Sequence, residues 1–388
     1  MSVVVFDLLC SQPIGDVQFH GGGEYTKTVF KALLKMRRKE DKIFVCFDKT
    51  SFLDSWIIEE VENQTVEFHQ VVNYGEIVSF LRSFPDSVKI RFFAGLSYVY
   101  QDYVFPENVI GIGTCHGLRY LEKPFDKNSI KYGGLKRRCK EIIRRVLAPY
   151  MLKRYRKKYE RTITRFSCLI TDSNHSAFSL RLNFSDTLGN KEICVFYPLT
   201  QPVDRELDNF ESPSEGFIMM ISANRWIKNS YRGVKALDGL YSKKMLNLRT
   251  RVYGNLPQRI RRELKHPEMF DFLGYVSSEE LEKGYKNCNL LFYPTLNEGF
   301  GNVPMEAMKY GKTCVVSAVC SLPEVYEQSV FYCNPYDIME MQNRILQAID
   351  HRIDVSKLKA RLTELRSRQE QDLNALCKLI VGTTEKKQ

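Results

Sequence analysis

Two carboxylates flank a glycine turn in the second half of the chain: Glu298 stands directly before the turn and Glu306 eight positions later. The apolar run Asn289 to Tyr293 predicts a buried strand before the turn, and Val303 to Lys309 predicts a helix after it. Backbone N–H groups at a helix start lack internal partners and lie at the positive end of the helix dipole, so such a turn suits a phosphate. Carboxylate oxygens accept hydrogen bonds from hydroxyl groups. Phosphate donors beside hydroxyl acceptors indicate a nucleotide sugar as the ligand.

Two cations follow another strand of the same half. The run Gly216 to Ser222 predicts that strand, and Arg225 and Lys228 come directly after its end. The guanidinium fork and the ammonium are suited to a diphosphate, and their position lets both reach the ligand of the glycine turn. The alternative is that both cations form ordinary ion pairs on the surface.

The first half contains a second glycine turn and a histidine after a strand end. Gly22 and Gly23 belong to a run of three glycines before a helix predicted from about Tyr25 to Arg38. Glycines at such a turn let a ligand approach closer than any Cβ would allow, although the run does not match the dinucleotide fingerprint. His116 follows the strand predicted over Asn108 to Gly113, on the side of an open α/β sheet where ligands bind. A flexible loop and a structural histidine are the alternatives.

Strands alternate with helical patterns along both halves, which predicts an α/β protein with parallel sheets. The further predicted strands are Ser2 to Leu9, Lys42 to Phe47, Thr65 to Val72, Lys89 to Phe93, Ser167 to Asn174 with its helix cap, Glu192 to Tyr197, Leu248 to Tyr253, Met269 to Val276 and Lys312 to Ser317. A length of 388 residues suits two domains. The polar stretch Thr200 to Gly216 predicts a linker, which gives domains at 1–205 and 206–365 and a helical tail at 366–388.

Composition excludes several classes of protein. The hydrophobic fraction of 44% is that of a globular protein, and no window reaches the roughly 18 apolar residues of a membrane span. Met1 to Leu9 carries no basic leader, so no signal peptide is expected. Eleven cysteines without a Cys-x-x-Cys pair, and six scattered histidines, predict reduced thiols, no metal site and a cytoplasmic location.

The positive charge of the chain is concentrated in residues 136–165. This segment holds thirteen Lys or Arg against two Glu, an excess that equals the net charge of +11 of the whole chain. Its apolar residues recur at helical spacing and form one stripe between basic faces. An interfacial helix on an anionic membrane surface has this pattern, and nucleic acid is the rival partner because it attracts the same charges. A stripe that packs on its own domain is the third interpretation.

The residues around the first glycine turn resemble the Glu-x7-Glu signature of retaining glycosyltransferases of the GT-B fold, in the glycosyl transferases group 1 family. The resemblance rests on Glu-Gly-Phe-Gly from Glu298, Pro-x-Glu-Ala-Met from Pro304, Gly311, and Ser-x5-Pro-Glu from Ser317. It covers nearly all of the second half, and the first half mainly in its layout. It implies two Rossmann-like domains facing each other across a cleft, with the donor bound mainly to the second and the terminal helix 366–388 returning to the first.

The resemblance also implies roles for individual residues. Glu306 would hold the ribose hydroxyls, Glu298 would contact the transferred sugar, and His116 would lie on the opposite side of that sugar. The family more often has His-Asp where this chain has His116 followed by Gly117, which is a departure. Arg225 and Lys228 would hold the donor diphosphate. Further donor contacts are implied for Gly22, Gly23, Tyr275, Gly299, Phe300, Gly301, Asn302 and Val303.

The implied activity is transfer of a hexose with retention of anomeric configuration, without a divalent metal or another cofactor. GDP-mannose or a UDP-sugar would be the donor. The acceptor would be a hydroxyl of a growing, lipid-linked glycan in bacterial surface polysaccharide biosynthesis, at the inner face of the cell membrane. Two alternatives are a sugar-nucleotide 2-epimerase of similar fold, which would lack the Glu-Gly-Phe-Gly string, and a catalytically degenerate scaffold on a membrane or nucleic acid. The joint presence of both cations and both glutamates disfavours the scaffold, and no nucleic acid is expected as a partner.

Overall fold

The chain forms two compact units. The structure, a computed structural model, describes residues 3–13, 20–38, 40–63, 66–199 and 216–383. The first unit comprises Met1–Leu118, Lys153–Leu199 and Arg366–Gln388, and the second comprises Arg119–Leu152 and Thr200–Leu365. This division assigns 119–152 to the second unit, whereas the sequence-based boundaries placed it in the N-terminal domain. The predicted linker before Gly216, with its boundary at 205/206, lies outside the described residues.

The first unit contains a seven-stranded parallel sheet. Its strands are β1 (Val3–Asp7), β2 (Lys42–Phe47), β3 (Glu67–Gln70), β4 (Ile90–Ala94), β5 (Val109–Cys115), β6 (Cys168–Thr171) and β7 (Glu192–Val195). They lie in the order β3-β2-β1-β4-β5-β6-β7. Every residue of β1 is buried, as expected for a central strand of a parallel sheet that is covered on both faces. The strand order reverses between β1 and β4.

The second unit contains a six-stranded parallel sheet. Its strands are β8 (Phe217–Met220), β9 (Thr250–Tyr253), β10 (Phe270–Gly274), β11 (Cys288–Tyr293), β12 (Thr313–Ser317) and β13 (Phe331–Cys333). The order β10-β9-β8-β11-β12-β13 is that of a Rossmann fold, in which the direction of winding reverses between β8 and β11. Loops that follow these two strands diverge, so this is where an open α/β sheet binds its ligand.

Helices connect the strands and follow the last one. They are α1 (Gly21–Met36), α2 (Ser55–Glu62), α3 (Tyr74–Arg82), α4 (Arg119–Glu122), α5 (Leu135–Val146), α6 (Ala148–Arg165), α7 (Asn174–Leu188), α8 (Ser230–Ser242), α9 (Gln258–Arg261), α10 (Ser278–Asn287), α11 (Asn302–Met308), α12 (Leu322–Tyr326), α13 (Ile338–Asp350) and α14 (Val355–Val381). Helix α10 begins with a capping box, in which the side chains of Ser277 and Glu280 each bond the other residue's backbone N–H. Within the described ranges, no helix is both long and apolar enough to span a bilayer.

Two sequence-based expectations are corrected, and one strand is new. The helix predicted from Tyr25 begins at Gly21, because the ring of His20 caps it by accepting the N–H of Gly23 at 3.0 Å. Gly22 and Gly23 therefore lie in the first helical turn and not in a loop. The basic segment 136–165 forms two helices, α5 and α6, and not one. In a continuous helix the ring of Pro149 would clash with the carbonyl group four residues earlier, and proline has no N–H to donate to it. Strand β13 was not predicted.

The segment 119–152 joins the second unit through its own buried contacts. Tyr132 is 1% exposed, belongs to the apolar core of that unit, and accepts a hydrogen bond from the N–H of Tyr231 at 2.8 Å. The ammonium of Lys131 lies 2.7 Å from a carboxylate oxygen of Glu263. Sequence order alone could not show this, because the segment lies between β5 and β6 of the other sheet.

The last helix, α14, begins in the second unit and ends in the first. Leu376 and Ile380 lie in the apolar core beside β1 and β2. The guanidinium of Arg91 on β4 donates hydrogen bonds to the carbonyls of Leu379 at 2.6 Å and Ile380 at 3.0 Å, near the end of α14. Carbonyls in the last turn of a helix lack internal partners, so Arg91 acts as their cap.

Candidate active site

The reversal point of the second sheet brings Lys228 and Glu298 together. Lys228 ends the short turn Trp226–Lys228 after β8, and Glu298 follows β11. The ammonium of Lys228 donates a hydrogen bond to Oε1 of Glu298 at 2.6 Å, and the two side chains are 9% and 12% exposed. The parallel pairing of β8 with β11 closes the distance between residues that are far apart in sequence.

Two hydroxyl groups complete the environment of the carboxylate. Tyr293, the last residue of β11, donates to Oε1 of Glu298 at 2.6 Å, and the hydroxyl of Thr295 donates to the same oxygen at 2.7 Å. Lys228 also donates to the hydroxyl of Tyr293 at 2.5 Å. One carboxylate oxygen thus receives three hydrogen bonds, which fixes the orientation of Glu298.

The environment of the buried pair lowers the pKa of both Glu298 and Lys228. Burial acts to raise the pKa of Glu298, but the charge of Lys228 and the hydrogen bonds from Lys228, Tyr293 and Thr295 outweigh it and lower the pKa below its ordinary value. Burial lowers the pKa of Lys228, and the charge of Glu298 offsets only part of that effect. Burial also raises the pKa of Tyr293, and the nearby carboxylate adds to the increase, so this tyrosine stays a neutral donor.

Two guanidinium groups add positive charge around Lys228. After burial, the charges of Arg225 and Arg119 also act to lower the pKa of Lys228. Arg225 is exposed, and Arg119 on α4 lies 5.9 Å from the ring centroid of Trp226. Arg119 and Arg225 therefore add positive charge near the ammonium that pairs with Glu298. Such an excess of positive charge suits a ligand with two or more negative charges.

The second glutamate lies on the exposed side of α11. Both carboxylate oxygens of Glu306 accept hydrogen bonds from the ammonium of Lys309, at 3.1 and 3.0 Å, and the Glu306 side chain is 34% exposed. A partly exposed ion pair of this kind contributes little free energy, so a ligand hydroxyl can compete for the carboxylate. At the start of α11, Asn302 is exposed, and Val303 and Gly299 are half-buried.

Hydrogen bonds from α12 and its cap hold the glycine turn in place. Gly301 has φ +92, and a Cβ at this position would lie 2.5 Å from Cδ2 of Leu322. Tyr326 donates its hydroxyl to the carbonyl of Gly301, and Ser321 donates to the carbonyl of Phe300 at 2.9 Å. Two carbonyls of the turn are therefore held by α12 and its cap, Ser321.

Tyr275 lies at the same end of the second sheet. Its side chain is exposed, in the loop after β10, and its hydroxyl accepts a hydrogen bond from the amide of Asn224 at 2.5 Å. Asn224 belongs to the loop after β8, next to Arg225. The hydrogen bond therefore ties the loops at the carboxyl ends of β8 and β10, which lie on either side of β9, in the region where the sequence predicted a donor contact.

His116 lies in the first unit and has acceptors at both ring nitrogens. Nδ1 is 2.7 Å from Oδ2 of Asp172, and Nε2 is 2.9 Å from the carbonyl oxygen of Gly95. Burial acts to lower the pKa of His116, but the charge of Asp172 and both hydrogen bonds outweigh it, so the pKa is raised. A protonated ring satisfies both acceptors. A contact from His116 to a donor sugar would require one of these hydrogen bonds to be given up.

Gly22 lies beside this histidine. A Cβ on Gly22 would be 2.6 Å from Cδ2 of Leu96 and 3.5 Å from Nε2 of His116. The first helical turn of α1 therefore approaches the loop after β4 and the end of β5 at the carboxyl edge of the first sheet. A Cβ on Gly23 would lie 3.0 Å from the ring of His20 and from the carbonyl of Ser11, so this glycine is required for packing.

The family described as glycosyl transferases group 1 matches residues 204–365. That range contains Arg225, Lys228, Glu298 and Glu306. This part of the chain belongs to the glycosyl transferases group 1 family. The expected family is thereby confirmed for the matched residues, and the Glu-x7-Glu signature itself stays a prediction.

One curated relative is the serotype-specific mannosyltransferase WbdA of Escherichia coli. It is 28% identical to this chain over 193 residues, which are 46% of this chain and 23% of WbdA. The aligned region thus spans less than a quarter of the length of that relative.

Solved glycosyltransferase structures confirm the expected fold class. Sucrose-phosphate synthase from Thermosynechococcus elongatus superposes with a TM-score of 0.61 at 15% identity, over 99% of this chain and 98% of that one. HepE from Anabaena, solved in complex with UDP, superposes with a TM-score of 0.59 at 15% identity, over 99% of each chain. At this identity the likeness shows the fold alone: an α/β protein of the GT-B class, with two Rossmann-like sheets.

Three residues of the site were missed by sequence reasoning. Tyr293 and Thr295 could have been found from the sequence, because their hydroxyl groups interrupt an apolar run directly before Glu298. Nothing in the sequence pointed to Arg119, because it follows β5 of the first sheet along the chain but belongs to the second unit.

Proposed function

We propose that this protein is a retaining glycosyltransferase that moves a hexose from a nucleotide diphosphate sugar to a hydroxyl group of a glycan. The observation that carries the proposal is the buried Lys228–Glu298 pair with Arg119 and Arg225 around it, at the point where the second sheet reverses. This arrangement offers cations for a diphosphate and a fixed carboxylate for sugar hydroxyls at one place. The residues lie within or next to the part of the chain that belongs to the glycosyl transferases group 1 family.

The cations would stabilise the leaving group. Breaking the bond between the anomeric carbon and the phosphate oxygen leaves the electron pair on the diphosphate, which gains negative charge in the transition state. Arg225 and Lys228 would bind that charge, and Arg119 adds to the local positive potential. Removing one preorganised donor of this kind costs about 10²–10³-fold in kcat. N–H groups of Phe300, Gly301 and Asn302, which the sequence assigned to the diphosphate, are proposed as further contacts.

The two glutamates would recognise hydroxyl groups of different parts of the donor. Glu298 stays ionised, since its pKa is lowered, and its fixed position suits a hydroxyl of the transferred hexose. Glu306, partly exposed on α11, would accept the ribose hydroxyls in place of Lys309. Tyr275 would border the nucleobase. A contact from His116 to the hexose stays a prediction, as does one from Gly22 or Gly23 to the donor.

Retention follows from attack on the same face as the departing phosphate. The acceptor oxygen forms a bond to the anomeric carbon as the phosphate oxygen leaves, and the acceptor proton passes to that phosphate oxygen. The donor diphosphate thus acts as the base, and no protein nucleophile or divalent metal is required in this proposal.

The donor is proposed to be GDP-mannose or a UDP-sugar. WbdA is named a mannosyltransferase, and HepE was solved with UDP, so each comparison supports one of the two. For the acceptor we propose a lipid-linked glycan of a bacterial surface polysaccharide, because the serotype-specific role in the name of WbdA indicates such a product.

Ligand binding can be measured before any acceptor is known. Thermal unfolding of the full chain would be followed with UDP, GDP, ADP and their common sugar conjugates, with and without magnesium. A ligand at about 100 times its Kd adds roughly 2.7 kcal/mol to the unfolding free energy. We expect one nucleotide class to raise the unfolding temperature of the wild type and to do so much less for Lys228→Met, with exposed Lys283→Met as the matched control.

Transfer itself needs a second measurement. The donor identified by binding would be incubated with oligosaccharide acceptors, and the anomeric configuration of the product determined by NMR. We expect a product with the configuration of the donor and release of nucleoside diphosphate. An inverted product would contradict retention, consumption of donor without acceptor would favour the epimerase, and no binding of any nucleotide by folded protein would contradict the function as a whole.

A further inference from the structure

The first part of the apolar stripe of the basic segment, on α5 and the start of α6, faces solvent. Six large apolar side chains of α5 and the start of α6 are between 46% and 75% exposed: Leu135, Ile142, Ile143, Val146, Leu147 and Tyr150. We call these six residues the apolar ridge. Single exposed apolar residues are normal, but a contiguous ridge is not, and such ridges mark surfaces that bind another phase or partner.

The other side of α5 is the one held by the protein. Glu141 is 5% exposed and accepts a hydrogen bond from Arg144 at 2.8 Å. Leu135, Cys139, Ile142 and Val146 follow one another at steps of four, three and four residues, so they share one face, and Glu141 lies on the opposite face. Helix α5 is therefore oriented with its apolar residues outward, which contradicts, for this helix, the interpretation that the stripe packs on its own domain. Further along α6, Met151, Leu152 and Tyr155 of the stripe are half-buried.

Basic residues flank the ridge on both sides. Lys136 and Lys140 lie on one side of the stripe and Arg145 on the other by helical position, and all three are exposed. An apolar stripe bordered by cations fits the boundary of an anionic membrane, where apolar side chains enter the acyl region and cations meet the head groups. Lys and Arg suit this position because their long stems keep the charge at the level of the head groups.

We infer that the apolar ridge and its flanking cations dock this protein on an anionic lipid surface. Nucleic acid fits the site less well, because it would engage the cations and leave the ridge in water. The break after α5 serves the same contact: Leu147 and Tyr150 continue the ridge past the break, so the start of α6 also lies on the docking surface. Docking goes beyond the proposed transfer activity, and its relevance to a lipid-linked acceptor rests on that proposal.

Flotation of the full chain with vesicles tests this inference. Vesicles of phosphatidylcholine alone would be compared with vesicles that also contain phosphatidylglycerol, at low and high salt. We expect the wild type to float only with the anionic vesicles and less at high salt, since each Lys or Arg near such a surface contributes to binding. The double variant Ile142→Asn/Ile143→Asn should float on the order of tenfold less well, because it removes inserting apolar surface.

Matched controls separate docking from a general loss of apolar or basic surface. Met245→Asn/Met339→Asn removes two side chains of the same unit that are 54% and 64% exposed, and it should float like the wild type. The triple variant Lys136→Gln/Lys140→Gln/Arg145→Gln should lose about a hundredfold in partition. Its control, Lys244→Gln/Lys265→Gln/Lys283→Gln, changes three exposed lysines of the same unit and should lose far less.

The possible outcomes are decisive. Equal flotation of the wild type and the Ile142→Asn/Ile143→Asn variant would overturn the inference. It would also be overturned if the wild type did not float on anionic vesicles but bound duplex DNA through the three flanking cations. Nucleotide-induced thermal shifts are measured on the same variants. Flotation without any nucleotide binding would support docking and contradict the proposed function. Nucleotide binding without flotation would support the proposed function and contradict docking.

Discussion

Glu298 and Lys228 form a buried ion pair, and burial of such a pair is not in itself evidence of a stabilising role. Replacing a buried ion pair by apolar residues is often neutral or stabilising by about 1–4 kcal/mol. The hydroxyls of Tyr293 and Thr295 give the pair one defined geometry, because both donate hydrogen bonds to Oε1 of Glu298. A carboxylate fixed in charge and orientation is what recognition of a sugar hydroxyl requires, since a loosely held group would cost rate and selectivity.

Tyr293→Phe tests whether this hydroxyl positions Glu298. Because the hydroxyl helps to lower the pKa of Glu298, its loss should raise that pKa and move the acidic limb of the pH–rate profile to higher pH. We expect kcat to fall about 10- to 100-fold, while the unfolding free energy changes by only about 0.5–1.5 kcal/mol. Tyr310→Phe, which removes a hydroxyl 3.0 Å from the surface residue Glu282, is the control. A profile that keeps its acidic limb would contradict a positioning role.

The pair of His116 and Asp172 makes stability depend on pH. The pKa of His116 is raised above its ordinary 6.5, so the folded state holds the proton more tightly than the unfolded state. The stabilisation is fully present below 6.5 and is lost as pH rises through the folded pKa. Asp172→Asn should therefore lower the unfolding temperature more at about pH 6 than at about pH 9. His351→Gln, at an exposed histidine, should show no such difference, and an equal effect of Asp172→Asn at both pH values would refute the charged pair.

At the scale of elements, local pattern predicted the strands well. The strand Lys42 to Phe47 was predicted at its observed bounds, and those before and after the glycine turn within one residue, because continuous apolar runs between glycines or polar turns are typical of buried parallel strands. The strand β13 has three residues, two of them half-buried, and offers too short a run to recognise. Helical spacing predicted the stripe of the basic segment but not its direction, since periodicity shows which residues share a face and not what that face meets.

The contacts of the site depend on strand order, which local pattern does not contain. Lys228 and Glu298 meet because β8 pairs with β11, and Arg119 joins them because the segment after β5 returns to the second unit. The sequence could place each cation and carboxylate at a strand end. It could not show that Lys228 donates a hydrogen bond directly to Glu298, or that the hydroxyl of Thr295 donates to the same carboxylate oxygen.

Gly301→Ala tests the element that presents the turn. The residue has φ +92, which L side chains rarely adopt, and the added Cβ would lie 2.5 Å from Leu322. The turn must shift, so we expect nucleotide affinity to fall at least tenfold at a stability cost of about 1–2 kcal/mol. Gly134→Ala is the matched control, because Gly134 has an ordinary φ of −75 and nothing within 4 Å of a Cβ. Unchanged affinity in Gly301→Ala, measured by calorimetry, would show that the turn does not bind the nucleotide.

At the scale of the whole molecule, each unit has its own sheet and core, but one helix contributes to both. The end of α14 fills the core of the first unit with Leu376 and Ile380, while Leu358 near its start is fully buried in the second. The first unit is therefore built from segments at both ends of the chain. Its stability should depend on α14 as much as on its own strands.

Truncating one leucine of α14 in each unit should destabilise that unit selectively. The two tryptophans provide separate probes, because Trp56 packs on the core that contains Leu376 and Trp226 belongs to the core of the second unit. Leu376→Ala, read from Trp56 in a Trp226→Phe background, should lose about 2–5 kcal/mol of unfolding free energy in urea. Leu358→Ala, read from Trp226 in a Trp56→Phe background, should lose a similar amount. If each mutation instead shifted both probes equally, the two units would unfold as one cooperative body, and the helix they share would couple them.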